Sequence, residues 1–255
     1  MDLVRFKYDK YDVIFPRTYF QFLKEVFVLD VYRTGLIRKN DVVLDVGACT
    51  GDFCIIASKK VGVTGTVIAL EPDPDNFELL KFNIQRNKCQ NVTAVNIGVG
   101  KEDNQDREIK APFDKPSRGR ISTLETILEK IGVSKKIDFI KMDIEGAEVD
   151  VISKSIDTIK HADVISLEFH DTKSTIDQLL LKHDFFFKPI TMTYIYRRII
   201  KNVLSHPLTL WNVYTDTAVK NPHLIQKAIT GFDMTKEQLL AGSYIKGKDI
   251  HNLAR

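Results

Sequence analysis

Residues 41–51 read Asp-Val-Val-Leu-Asp-Val-Gly-Ala-Cys-Thr-Gly. The apolar run from Val42 to Val46 carries one acid, Asp45, two residues ahead of Gly47, and Gly51 follows four residues later. Glycine lets the backbone turn sharply and lie against a ligand where a Cβ would obstruct. A helix expected from about Asp52 adds unpaired N–H groups beside that turn. The acid suits a ligand with hydroxyls or positive charge better than a bare pyrophosphate. The spacing is neither G-x-G-x-x-G nor the phosphate loop G-x-x-x-x-G-K-[ST]. The next apolar run, Thr66 to Leu70, ends in Glu71 and Pro72. An acid about 20 residues past a glycine turn is placed to take both hydroxyls of a ribose.

These residues describe a nucleoside site without a phosphate clamp. S-adenosylmethionine has that chemistry: adenine, ribose, a sulfonium cation and no phosphate. A second motif, residues 138–148, reads Asp-Phe-Ile-Lys-Met-Asp-Ile-Glu-Gly-Ala-Glu. Asp143 and Glu145 stand where a buried strand ends, and Gly146 permits a tight turn into a helix. Carboxylates there are costly unless they have partners. They suit a cofactor ammonium group, or a substrate hydroxyl whose proton they take. Glu145 and Glu148 equally suit the positive end of the helix that follows. Farther on, Glu168 and His170 alternate onto one face at a strand end. Asp143, Glu145, Glu168 and His170 are therefore the candidate bases. Asp143, Glu168 and His170 could also hold a divalent metal through oxygen and nitrogen, but their spacing is no metal signature and no metal is expected.

Strands are expected at 41–46, 66–71, 91–97, 136–142, 162–169 and 184–188. Helices are expected at 52–61, 74–87, 122–131, 147–160 and 173–183, with Ser122 and Glu125 forming a capping box. Such alternation makes a doubly wound α/β fold with a parallel sheet. Its ligands bind beyond the carboxyl ends of the strands, where Asp45, Glu71, Asn96, Asp143 and Glu168 fall. Residues 1–40 read as a helical segment, packed into the core or closing as a lid. Its amphipathic stretch, 17–33, aligns Phe20, Leu23, Phe27 and Val31. Residues 101–120 read as a loop or short hairpin, 193–205 as strand turning into helix, and 221–230 and 235–241 as helices. The chain divides into 1–40, a ligand-binding domain over 41–190, and an extension over 191–255.

Of 255 residues, 44% are hydrophobic and 28% charged, a soluble globular balance. The three cysteines, Cys49, Cys54 and Cys89, are odd in number and match no metal spacing, which points to a reducing compartment, the cytoplasm. No apolar leader or membrane span is read, so no membrane partner is expected. The net charge is +3, yet residues 186–255 hold ten lysines and arginines against four acids. Arg197, Arg198, Lys201, Lys220 and Lys227 could meet phosphates or form a solvated face.

Taken together, Asp-Val-Gly-Ala-x-x-Gly, Glu-Pro and Lys-Met-Asp-Ile-Glu-Gly-Ala-Glu resemble the FkbM-type methyltransferases over about residues 36–188. These are class I S-adenosylmethionine-dependent O-methyltransferases. The resemblance implies a Rossmann-like, mostly parallel seven-stranded sheet with one antiparallel strand. It places Asp45, Gly47 and Gly51 along the methionine portion, Glu71 on the ribose, Pro72 beside the adenine and Asp143 near the transferred methyl. With Ala48, Asn96 and Gly98 added, the expected cofactor-binding set is Asp45, Gly47, Ala48, Gly51, Glu71, Pro72, Asn96, Gly98 and Asp143. Cys49 departs from the glycine that many class I enzymes have there. The implied activity is O-methylation of a small-molecule or carbohydrate hydroxyl, in a chain compatible with a homodimer. The alternatives are an RNA methyltransferase using the basic tail, a nicotinamide oxidoreductase, and a non-catalytic binding protein of the same fold.

Overall fold

A computed structural model of the chain describes residues 2–110, 116–205 and 241–247. It opens with an antiparallel hairpin, β1 (Leu3–Tyr8) and β2 (Tyr11–Pro16). A helical run over 17–29 follows, passing from a 3-10 turn through α1 (Phe20–Leu23) into a π turn. Then come β3 (Val42–Val46), α2 (Asp52–Val61), β4 (Thr66–Leu70), α3 (Pro74–Arg86) and β5 (Val92–Val95). A side sheet forms from β6 (Gly98–Val99), β7 (Gln105–Lys110) and β8 (Pro116–Ser122). The chain continues through α4 (Leu124–Lys130), β9 (Phe139–Met142), α5 (Glu148–Lys154), α6 (Ile156–Ile159), β10 (Val164–Glu168) and α7 (Lys173–Leu180). It closes with β11 (Phe185–Pro189), α8 (Met192–Ser205) and β12 (Ala241–Lys246).

The central sheet has seven strands in the order β5-β4-β3-β9-β10-β12-β11. It is parallel except for β12, which runs antiparallel to both neighbours. This is the expected class I, Rossmann-like α/β sheet. β3, at its centre, is buried at every residue, as a strand covered on both faces must be. Alternation sorts the residues into two apolar layers. Val42, Leu44, Val46, Ile68, Ile140 and Met142 face one layer, with α4 and α5. Val43, Val67 and Phe139 face the other, with α2 and the N-terminal segment. Asp45 and Lys141 are cross-strand partners on that second face.

Several local readings change. Residues 3–16 are a hairpin, not helix. Phe6, Tyr8, Val13 and Phe15 are buried at alternate positions, and aromatic and β-branched residues at period two favour a pleat. The helical run stops at Asp30, which adopts a left-handed φ of 53°, rather than continuing to 33. Thr123, not Ser122, caps α4 by accepting from the Thr126 N–H; Ser122 is buried at the end of β8. Glu125 instead accepts hydrogen bonds from Ser155 and Thr158, beside the break between α5 and α6. Residues 105–110 and 116–122 pair as antiparallel strands, and 193–205 are helical without a strand. Of the expected C-terminal helices, 221–230 and 235–240 lie outside the described residues. Residue 241 begins a strand, because Ser243, Tyr244 and Ile245 are sealed between β10 and β11.

The N-terminal hairpin is fastened to α3 by two asparagines one helical turn apart. The Asn83 side chain accepts from Ile14 N–H at 2.8 Å and donates to the Ile14 carbonyl at 2.7 Å and the Thr50 carbonyl at 2.9 Å. Asn87 accepts from Asp12 N–H and donates to the Asp12 carbonyl. Together they extend the free edge of β2, which would otherwise be left unpaired. Asn83→Ala should therefore cost roughly 2–4 kcal/mol, since it strands buried backbone groups. Urea unfolding measures this, and a loss under about 1 kcal/mol would contradict the fastening.

Candidate active site

A cavity of about 280 Å³ opens at the carboxyl ends of β3, β4 and β9. Gly47, Cys49, Glu71, Pro72, Gly98, Asp143 and Glu145 line its sheet side. Phe22, Glu25, Val26 and Tyr32 come over it from the N-terminal segment, and Lys101 and Arg107 from the side sheet. Of the residues proposed from sequence, Gly47, Glu71, Pro72, Gly98, Asp143 and Glu145 thus border one space. Asp45, Ala48, Gly51, Asn96, Glu168 and His170 stand behind or beside it.

Each displaced residue has a local reason. Asp45 is fully buried, with its carboxylate 3.4 Å from the Lys141 ammonium. Burial pushes the Asp45 carboxyl up, and Lys141 opposes that. Lys141 also donates to the Gly47 carbonyl at 2.5 Å and lies over the Tyr32 ring. Burial alone would depress its ammonium, but Asp45, Asp143 and Asp52 together hold it above the ordinary lysine value. The Ala48 N–H is spent on the Leu70 carbonyl inside the turn. Gly51, at φ 91°, starts α2 against Leu80. Asn96 donates to the Glu71 and Pro72 carbonyls, bracing the acid's loop from outside the cavity.

Gly47 has φ 79°, and a Cβ there would overlap the Asp143 carbonyl oxygen. The turn after β3 therefore lies directly on the tip of β9. Glu71 accepts the Cys49 N–H at 2.7 Å and the Asp73 N–H at 2.9 Å, joining the loops after β3 and β4. Burial pushes its carboxyl up to about 7. Cys49, in the place of the usual glycine, keeps a left-handed φ of 48°, a conformation that costs a residue with a side chain.

At the inner end, Tyr32 donates its hydroxyl to Asp143 at 2.9 Å, and Glu168 lies 3.3 Å from the same oxygen. One hydroxyl has one proton, so it serves one carboxylate. Burial, then Asp143 and Glu25, push the Glu168 carboxyl up to about 8. Burial likewise pushes Glu25 up to about 7. His170 presents Nδ1 to Glu148 at 2.9 Å and Nε2 to Glu145 at 3.5 Å. The Glu148 hydrogen bond raises the imidazole to about 9. Glu148 is buried rather than simply facing the helix end. Burial works against its charge, but His170 and the Gly146 N–H outweigh it and hold the carboxyl below its usual value. Ligand atoms of Asp143, Glu145 and His170 fall within 4.8 Å of one another, and Glu168 is not part of that set.

Sequence reasoning missed Tyr32, Glu25 and Lys141. Lys141 left a signal: a lysine inside a four-residue buried strand requires a partner, and Asp45 has the matching parity. Tyr32 left none, since its position depends on a turn at Asp30, and Glu25 left none, since it reads as an ordinary polar residue of an amphipathic helix. On the tail, Arg198 pairs with Asp30 at 3.4 Å, Arg197 and Lys201 are exposed, and Lys220 and Lys227 lie outside the described residues. Among the described residues no helix is long and apolar enough to cross a membrane.

A raised carboxyl means that the folded chain prefers the protonated acid. For Glu25 this contribution to stability is complete below about pH 4.5 and lost as pH rises through about 7. Glu25→Gln should match the parent near pH 4.5 and exceed it by roughly 1–3 kcal/mol at pH 8. Urea midpoints at the two pH values measure this, and a difference that does not change with pH would contradict it.

Comparison with known proteins gives these surroundings a lineage. Residues 45–193 match the family model of the methyltransferase FkbM domain. Methyltransferase 1 of Beauveria bassiana is 24% identical over 184 residues, 59% of this chain and 73% of that protein. The hexuronic acid methyltransferase AglP of Haloferax volcanii is 26% identical over 142 residues. That match takes in 52% of this chain but only 57% of AglP. A crystal structure of methyltransferase FkbM from Methylobacillus flagellatus KT aligns with a TM-score of 0.45 at 22% identity, covering 62% of this chain and 42% of that one. With the family matched over more than half its length, the chain belongs to the FkbM methyltransferase domain family.

Proposed function

We propose that the protein is an S-adenosylmethionine-dependent O-methyltransferase acting on a hydroxyl of a carbohydrate or related small molecule. The observation that carries this reading is one cavity with Glu71 and Asp143 on either side of the Gly47 turn. The residues fit the cofactor's chemistry. Glu71 is an acceptor for ribose hydroxyls, and Pro72 and Gly98 offer an apolar wall for adenine. The Gly47 turn admits close approach, and the acids at the inner end suit an ammonium and a sulfonium. The cofactor supplies a methyl group already activated on sulfur, so the protein mainly aligns the acceptor.

The remaining residues then divide the work. Asp143, held by Tyr32, is the carboxylate nearest the methyl end. Glu25, with its carboxyl near 7, is poised to take a hydroxyl proton at neutral pH. Glu168 lies 3.3 Å from the Tyr32 hydroxyl and helps to position it. His170 stands between Glu148 and Glu145 beside the cavity. A carbohydrate acceptor is supported by AglP, whose name gives a hexuronic acid as its substrate. Lys101 and Arg107 at the cavity wall could meet a substrate carboxylate. They now pair with Asp150 and Glu102, so such a substrate competes with weak surface ion pairs.

Transfer of isotope-labelled methyl from S-adenosylmethionine to a panel of neutral sugars and uronic acids tests the reading. The expected product is an ether that survives mild base; a base-labile ester would overturn the O-methyl assignment to a hydroxyl. Asp143→Asn should lower turnover by about 100-fold or more. Glu71→Ala should weaken cofactor binding by roughly 2–3 kcal/mol, and unchanged affinity would remove Glu71 from the ribose.

A further inference from the structure

We propose that Asp143, Glu145 and His170 form a divalent-cation site of oxygen and nitrogen ligands at the edge of the cavity. The sequence pointed to no metal, and the trio it weighed included Glu168. The structure regroups the residues. Glu168 is directed to the Tyr32 hydroxyl, whereas Glu145 brings its carboxylate beside His170 and Asp143. All three ligand groups are partly open, as a site that must also admit a substrate oxygen requires.

An independent feature is the buried acid behind the histidine. Glu148 is wholly buried, and one of its oxygens lacks any partner. Its other oxygen meets His170 Nδ1 at 2.9 Å and accepts the Gly146 N–H at 3.1 Å. An acid buried at such cost needs a purpose. A carboxylate on the remote ring nitrogen is how metal-binding histidines are held in one tautomer and made more basic. Here it turns Nε2 toward Glu145 and Asp143. An ion bound there takes the place of the proton that Nε2 would otherwise carry toward Glu145.

The local charge agrees. Asp143, Glu145 and Glu148 surround His170 here. The nearby Lys141 is already committed to Asp45 and the Gly47 carbonyl. Two carboxylates with one imidazole suit Mn²⁺, with Mg²⁺ as a weaker occupant. A substrate hydroxyl on such an ion loses its proton more readily. That last role rests on the O-methyltransferase reading; the binding of the ion does not, and its test needs no turnover.

The test is titration of chelator-treated full-length protein with Mn²⁺, followed calorimetrically and by loss of the free-ion electron paramagnetic resonance signal. One site per chain is expected, with nitrogen modulation of the bound-ion signal from His170. The modulation is read on the unaltered protein, so it does not depend on a variant folding. His170→Gln should abolish the modulation, and Glu148→Gln should weaken Mn²⁺ binding about 10- to 100-fold. Glu168→Gln should leave affinity within about twofold. No saturable binding, bound Mn²⁺ without nitrogen modulation, or loss of binding in Glu168→Gln instead of Glu148→Gln would each overturn the site. If Mn²⁺ binds as described but no hydroxyl is methylated, the cation site stands and the functional reading falls.

Discussion

The buried pair of Asp45 and Lys141 is the constraint on which the candidate site depends. The two are register partners on adjacent central strands, both sealed from water. Neither Asp45 oxygen has a hydrogen-bond partner, so the charge of Lys141 is what makes the acid tolerable there. Removing one member of such a pair leaves an uncompensated buried charge. Lys141 then reaches upward to the Gly47 carbonyl and lies over the Tyr32 ring. Through Tyr32 the order passes to Asp143 and Glu168. One ammonium thus ties the glycine turn, Tyr32 and the inner acids into a single arrangement.

The N-terminal segment supplies the other half of the cavity. Phe22, Glu25, Val26 and Tyr32 all precede residue 45, where the family match begins. The family domain therefore provides the sheet tips, and the segment before it shapes the space above them. Its hairpin is held through Asn83 and Asn87 on α3, the helix that follows the Glu71 loop.

How much of this was legible in the sequence follows from the range of each interaction. The central strands were readable because a buried parallel strand is a continuous apolar run. Gly47 and Glu71 were readable because turn and acid lie at strand ends, where topology alone decides position. Asp45 was read as lining the cavity and instead lies beneath it, because the partner that draws it inward, Lys141, is almost a hundred residues away in the chain. Residues 3–16 were absorbed into a helical segment, although Phe6, Tyr8, Val13 and Phe15 carried period-two alternation. Tyr32 depends on the left-handed turn at Asp30, which no local pattern announces. β12 was hidden because its burial comes from β10 and β11, not from its own composition.

The central claim is that these sheet tips bind S-adenosylmethionine. The most direct measurement is calorimetric titration of the folded protein with S-adenosylmethionine, with NADH as the control. The account predicts binding in the micromolar range, about −8 kcal/mol, for the first and none for the second. Binding of NADH, or of neither by demonstrably folded protein, would contradict it.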